Sequence, residues 1–453
     1  MRRIRPDARN SSHGSVIAAA SVGTFIELYD LFIYGYFASI LAGEFFPHGD
    51  PTAALLATFA VFAVGFLVRP IGAVIAGHVG DRMGRRAALA ASLLLMTVAT
   101  VAFSALPTYR QAGLLAPLLL LSCRILQGLS ATGELSGAQL LVQEHVPERW
   151  RGRAVALNLA AGNLGTGAAA GVGLILARVL TPGELASWGW RVAFLIAAPI
   201  GLVGLYARAR LLDSPAFAAL GPLARHGRAP LAEAMATAKQ GMGVLFAWAG
   251  ACVVCSYMLA GYLPSYLIRV AKLSPADTFT TNVLAILTLA TSTLVGGYLV
   301  DRFPLHQVAT AVMAGVLMTA VPGFLIITHY RTLGAALIGQ GMWALFLGAA
   351  FVVQAMLSMT LFPVAIRFTA TAVPQNLAAA LFGGTAPYVS TWLVAVTLTA
   401  AAPGFYLLAI VLTALLVVLA GLRHHAVPVP HGDQIHLAAD RRRPHPHDPV
   451  QPG

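Results

Sequence analysis

The chemistry available to this chain lies in ionisable and amide side chains inside long apolar segments. Charge within a bilayer is costly, so each such residue marks a candidate binding or relay site. In two segments these side chains are three, four or seven residues apart, which places them on one face of a helix. They are Glu27, Asp30 and Tyr34 in the first segment, and Arg124, Gln127 and Glu134 in the second.

Acids and an arginine on neighbouring helices can link the binding of a proton to the binding of a solute. Burial favours the neutral form of a carboxyl group, whereas an adjacent arginine or bulk water favours the charged form. A substrate carboxylate that competes for Arg124 would free an acid such as Asp30 to take up a proton, and this would couple the two fluxes. The alternative is a permanent structural ion pair between the two helices. For Glu27, this alternative is about as well supported as a role in coupling.

The composition requires that these segments span a membrane. The chain has 453 residues, of which 58% are hydrophobic and only 10% are charged. A helix needs roughly 20 apolar residues to cross about 30 Å of hydrocarbon, because its backbone polar groups must be satisfied internally. The sequence therefore predicts an all-α membrane protein with twelve transmembrane helices. The formal net charge of +12 lies in the loops and termini, where anionic lipid accounts for it without nucleic acid.

The predicted helices form two similar halves. Gly77-x-x-x-Asp81-Arg82 recurs as Gly297-x-x-x-Asp301-Arg302 at an offset of 220 residues (301 − 81), and Pro147 and Arg151 recur as Pro363 and Arg367 at an offset of 216 (363 − 147). Such a repeat predicts two pseudo-symmetric six-helix bundles. The expected divisions are an N-terminal arm (1–15), a first bundle (16–207), a linker (208–240), a second bundle (241–422) and a disordered tail (423–453).

A charged hairpin separates the second and third predicted helices. An ordinary positively charged cytoplasmic anchor would explain its arginines but not its acid or the spacing of its glycines. The hairpin resembles the loop between the second and third helices of the major facilitator superfamily, and this resemblance implies a gating loop, with a partial copy in the second half. Its residues are Gly77, Asp81, Arg82, Gly84, Arg85 and Arg86, and those of the copy are Asp301 and Arg302.

Several stretches resemble the metabolite:proton symporter family, a branch of the major facilitator superfamily. The stretches that carry this resemblance are Gly23 to Asp30, Arg124 to Ser130, Trp188 to Arg191, Ser214 to Phe217 and Leu381 to Pro387. Members carry citrate, alpha-ketoglutarate, shikimate and related acids, or proline and glycine betaine, with protons across the bacterial inner membrane. The resemblance implies the major facilitator fold, alternating access and one central site, with residues 81–86 in a cytoplasmic latch.

The chain departs from the family pattern near the presumed site. Thr24 stands where the family usually has Asn, Leu28 replaces Trp, and Gln375 replaces Tyr before Asn376, which is a further candidate binding residue. The substrate therefore cannot simply be copied from the family. Residues 137–151 and 204–217 are most similar to the proline and betaine members.

The distribution of basic residues sets the expected orientation. With the N-terminus inside, the cytoplasmic segments hold 21 Lys and Arg and the opposite side holds six, which places both termini in the cytoplasm. The expected partners are a small carboxylate or zwitterion and the lipid bilayer. The proton is the expected coupling ion, and we expect no other cofactor and no metal. We expect a monomer.

These observations favour a secondary active transporter over an enzyme or a channel. No His lies within the first six predicted spans, and no cluster of Ser, His and acid forms a catalytic set there. A channel would not need duplicated gating loops. The remaining alternatives are an uncoupled facilitator or exchanger of the same fold, or a transporter-like sensor.

Overall fold

The molecule is built from helices, and no strand occurs in the part of the chain that the structure describes. This computed structural model describes residues 13–47, 49–72, 75, 85–130, 139–140, 142–143, 146–209, 230–363 and 366–424. Ten helices in these ranges are long and apolar enough to cross a membrane, and two shorter apolar helices, Ala91–Ser104 and Leu115–Ser130, accompany them. The predicted all-α membrane fold is confirmed, and the ten long helices with the two shorter ones agree with the predicted count of twelve.

The first half contains six of these helices and the second half contains the other six. The first six are α1 (His13–Phe45), α2 (Pro51–Gly72), α3 (Arg85–Ser104), α4 (Leu115–Ser130), α5 (Arg151–Val179) and α6 (Pro182–Leu205). The second six are α7 (Lys239–Arg269), α8 (Pro275–Arg302), α9 (Leu305–Tyr330), α10 (Leu333–Leu361), α11 (Arg367–Thr397) and α12 (Ala402–His424).

Helix starts follow local capping signals. The side chains of Asp50, Ser274 and Thr332 each accept a hydrogen bond from a backbone N–H in the first turn of α2, α8 and α10, respectively. Thr181 and Glu184 form a reciprocal capping box, so α6 begins at Pro182 rather than near Val192, where its apolar run begins. A short helix, Pro230–Thr237, precedes α7 within the stretch expected to be the linker.

The two halves meet along closely packed helices. Helix α8 packs most extensively against α5 of the first half and against α10 of its own half, and α1 packs against α5. Helices α1 and α7 cross at Gly35, where an added Cβ would lie only 2.8 Å from the Cα of Gly261. Gly261 lies in a π-helical segment of α7, Met258–Tyr262, and such segments occur often at functional sites. The crossing brings the second half against α1.

Candidate functional site

A narrow cavity between α1, α2, α3 and α4 gathers most of the described candidate binding residues. Its internal volume in this conformation is about 20 Å³, which is room for about one water molecule. The structure brings together the acids of α1 and the arginine and amide of α4, as the sequence pattern indicated. The lining residues are Glu27, Asp30, Leu31, Gly65, Phe66, Arg69, Met96, Arg124, Gln127 and Gly128.

Hydrogen bonds lead from Arg124 toward Asp30. The Nη1 of Arg124 donates to Oε1 of Gln127 at 2.7 Å, and Nε2 of Gln127 donates to the hydroxyl of Thr100 at 2.6 Å. That hydroxyl donates to the backbone oxygen of Met96 at 3.0 Å, and it also lies within reach of the Asp30 carboxyl group. Because a hydroxyl has a single proton, Thr100 can donate to Met96 or to Asp30 but not to both.

Asp30 and Arg124 do not pair directly, because no N···O distance between them is within 4.0 Å. Each residue is only 3% exposed. The Oδ2 of Asp30 and the Nε of Arg124 have no hydrogen-bond partner in the structure. A buried polar atom without a partner is costly, so these two atoms are open to a proton or a ligand. The N···O distance excludes an ion pair between Asp30 and Arg124 only; it does not test the ion pair considered for Glu27.

Aromatic rings support the arginines of the cavity. The guanidinium of Arg124 lies 4.8 Å from the ring centre of Tyr34 and 4.5 Å from that of Phe62. Tyr34 is held in place by its hydroxyl, which donates to the backbone oxygen of Thr58 at 2.9 Å. Arg69 lies 4.3 Å from the ring centre of Phe66. Ring faces attract cations at such distances, most strongly where water is excluded.

A pair of glycines allows α2 and α4 to approach closely at the cavity. A Cβ added at Gly128 would lie 2.1 Å from the backbone oxygen of Gly65, which no packing tolerates. A Cβ added at Gly65 would lie 3.1 Å from the Nε of Arg124. Gly128 must therefore lack a side chain for α2 and α4 to pack this closely, and a side chain at Gly65 would press against Arg124.

Asp301 joins the second half to the first at one end of the molecule. Its carboxylate accepts backbone N–H bonds from Gly152 at 2.8 Å and Arg153 at 3.1 Å, and it lies 3.5 Å from the Nε of Arg153. Helix α5 begins at Arg151, so the acid occupies the positive end of that helix. The neighbouring Arg302 is exposed and donates to the hydroxyl of Tyr298 on its own helix at 3.2 Å.

Other contacts bridge the halves at both ends. Arg269, at the end of α7, donates to the hydroxyl of Ser39 at 3.0 Å and to the backbone oxygens of Ser39 at 3.2 Å and Pro51 at 2.7 Å. At the end where Asp301 lies, Nε2 of Gln143 donates to the backbone oxygen of Ala355 on α10 at 2.9 Å. Opening a path from the cavity to either side therefore requires that one of these sets breaks.

The remaining candidate residues do not line the cavity or fall outside the description. Asn376 lies on α11, and its amide donates to the backbone oxygen of Ala372 on the same helix at 2.9 Å. Arg85 and Arg86 begin α3, but their side chains are not among those described. The candidates that lie wholly outside the described residues are Gly77, Asp81, Arg82, Gly84 and Glu134.

Comparisons with known proteins agree with this architecture. Residues 20–387 match the model of the Major Facilitator Superfamily. The chain is 33% identical over 420 residues to the glycine betaine/proline/ectoine/pipecolic acid transporter OusA of Dickeya dadantii, over 88% of this chain and 81% of OusA. It is 31% identical over 414 residues to the proline/betaine transporter of Escherichia coli K12, over 88% of this chain and 81% of that transporter.

The fold also agrees with a solved structure. The partially occluded, inward-open form of the xylose transporter XylE from Escherichia coli superposes with a TM-score of 0.70 at 18% identity, over 94% of this chain and 100% of that chain. The extent of the family match, the relatives above 30% identity and the twelve apolar helices all lead to the same assignment. The chain belongs to the major facilitator superfamily and is a membrane transporter rather than an enzyme.

Proposed function

We propose that this protein is a proton-coupled symporter that carries a small carboxylate or zwitterion by alternating access. One observation carries the proposal: Asp30 and Arg124 lie in the same buried cavity, unpaired with each other, and each keeps a polar atom without a partner. Transport across the bacterial inner membrane agrees with the multi-pass fold and with relatives named as proline and betaine transporters.

Coupling follows from the charge balance of the cavity. When a substrate carboxylate pairs with Arg124, it replaces Gln127 as the acceptor and cancels the positive charge near Asp30. The buried Asp30 carboxylate then lacks a compensating charge, so it binds a proton. When substrate and proton are both bound, the charges of Arg124 and Asp30 are both neutralised. Release of the substrate restores the field of Arg124 and favours loss of the proton.

Alternating access requires that the contacts at the two ends break in turn. Arg269 on one side, and Asp301 and Gln143 on the other, join residues of different halves. We assign the Asp301 end to the cytoplasm, with both chain termini, because the basic loops lie there. By the internal repeat, Asp81 and its loop have the latch role in the first half that Asp301 has in the second.

Asp30→Asn separates coupling from binding. In proteoliposomes, the wild-type protein is expected to accumulate substrate when a pH gradient is imposed, since protons and substrate move together. The variant is expected to lose this accumulation but to retain exchange of labelled for unlabelled substrate, because an amide at this position keeps the shape of the site without a titratable group. Asp50→Asn is the matched control, because Asp50 is an exposed helix cap in an outer loop and Asn caps equally well.

The outcome also separates symport from uncoupled transport. Wild-type accumulation that does not respond to the pH gradient would identify an uncoupled facilitator or exchanger of the same fold. Gradient-driven accumulation that survives in Asp30→Asn would remove Asp30 from the coupling role while leaving symport in place.

A further inference from the structure

A cluster of four aromatic rings lies beside the cavity, and one ring comes from the second half. Tyr257 of α7 lies 5.2 Å from Phe32, 5.9 Å from Phe62 and 5.2 Å from Phe66, measured between ring centres. The four side chains are between 1% and 6% exposed. Phe66 also lines the cavity. The rings therefore form a buried aromatic wall beside the ionisable residues, to which α7 contributes Tyr257.

Two faces of this wall already hold cations. Arg124 lies over Phe62 at 4.5 Å and Arg69 lies over Phe66 at 4.3 Å. Arg69 is only half-buried, and its Nε has no hydrogen-bond partner in the structure. A substrate carboxylate that pairs with Arg124 and Arg69 would draw Arg69 off the Phe66 face. A second cation could then occupy that face.

The charges of the cavity favour a substrate that carries such a cation. Glu27 and Asp30 line the same cavity as the two arginines, so a second substrate carboxylate would meet two acids. A zwitterion instead brings a carboxylate for the arginines and a cation for the ring faces, which leaves Asp30 to take up the coupled proton. An N-methylated ammonium group has no N–H to donate, so ring faces and negative charge are the means by which a protein holds it.

We propose that Phe62, Phe66 and Tyr257 form the subsite for the cationic group of a betaine or cyclic amino acid. This inference rests on the proposed function, since it assigns the second charge of the same substrate. Tyr257 reaches the wall only while α7 lies against α1 and α2. Binding of the cation therefore also favours the conformation in which the two halves are closed over the cavity.

A neutral isostere tests the subsite without any mutation. Glycine betaine and 3,3-dimethylbutanoate have the same shape and the same carboxylate, but only glycine betaine is cationic. In competition with labelled glycine betaine on purified protein in nanodiscs, glycine betaine is expected to bind on the order of 10- to 30-fold more tightly than the isostere, as expected for a desolvated cation–π contact. Succinate is expected to compete more weakly still.

Variants of Tyr257 test whether the aromatic wall causes the preference for glycine betaine over its neutral isostere. Tyr257→Phe keeps the ring and is expected to keep the preference within about 3-fold, whereas Tyr257→Leu is expected to remove most of it. Tyr262→Leu is the control, because Tyr262 lies on the same helix but packs against Phe59 and Tyr266 instead. Equal competition by the isostere in the wild type, or an undiminished preference in a folded Tyr257→Leu protein, overturns the inference.

The inference and the proposed function fail in different ways. Equal gradient-driven accumulation of glycine betaine and its isostere would leave proton coupling intact and remove the cation subsite. Selective binding of glycine betaine without any response to a pH gradient would leave the subsite intact and remove proton coupling.

Discussion

Replacing Asp301 with Asn tests the latch between the two halves. The carboxylate accepts two backbone N–H bonds at the start of α5. Asn keeps the shape and one acceptor oxygen but loses the charge. A charge at a partly buried helix N-terminus contributes about 1 kcal/mol, and each bond to a charged acceptor exceeds a neutral one by about 1 kcal/mol. The half-exposed ion pair with Arg153 adds little because solvent screens it.

Together these losses amount to about 2 to 3 kcal/mol. Since α5 and α8 belong to different halves, this free energy stabilises only the conformation in which their ends meet. A change of that size shifts the balance between closed and open ends by roughly 30- to 150-fold, at about 1.4 kcal/mol per tenfold. The variant should therefore spend far more time open at this end and should turn over at a different rate, with little change in intrinsic binding.

Distances between spin labels measure this balance directly. Arg149 in the first half and Gln307 in the second are exposed near the latch, so cysteines placed there can be labelled. The Asp301→Asn protein should show a larger long-distance population than the parent protein. Asp277→Asn is the matched control on the same helix, because Asp277 bonds only locally with Ser274, at the far end of α8. Identical distance distributions and turnover in Asp301→Asn and the parent would refute the latch.

Three further substitutions examine binding, gating and packing. Arg124→Gln should weaken carboxylate binding at least about 10-fold, because a charge-assisted hydrogen bond contributes about 1.5–3 kcal/mol; an unchanged Kd would exclude the contact. Asp81→Ala should lower the maximal rate far more than it raises the Kd, since a latch shifts conformations rather than touching substrate, and equal losses would contradict this. Gly128→Ala should lower the Tm, because overpacking at this helix contact costs about 1–3 kcal/mol of stability. Gly171→Ala is the control and should leave the Tm unchanged, because an added Cβ there meets no atom within 4 Å. Equal melting temperatures for the two variants would contradict the close contact between α2 and α4.

The sequence predicts the fold and the centre of the site because both depend on local patterns. Span length and apolar content predict twelve helices from the sequence, and the described residues contain ten long apolar helices and two shorter ones. The spacing of Asp30 and Tyr34, and of Arg124 and Gln127, determines which helix faces are polar. The cost of burying charge then indicates that these faces lie inward, and the structure places all four side chains at or beside one cavity.

The sequence does not reveal which ordinary residues complete the site. Thr100 is one of many threonines in the apolar segments, and its place beside Gln127 depends on how α3 packs against α4. In the sequence, Arg269 resembles an ordinary charged residue at a helix end. Its three acceptors belong to other helices, so no local pattern reveals them. Tyr257 joins the aromatic wall only through the crossing of α1 and α7. No local signal separates these residues from neighbours of the same type.

Proton movement during substrate entry tests the central claim most directly. Wild-type protein is reconstituted in liposomes that contain a pH-sensitive dye, with equal pH inside and outside, and glycine betaine or proline is added to the outside. The proposed coupling predicts that the lumen acidifies as the substrate enters, and that Asp30→Asn abolishes this acidification. Substrate entry without any acidification, or equal acidification in Asp30→Asn, would contradict the proposal that a buried acid beside Arg124 carries the coupled proton.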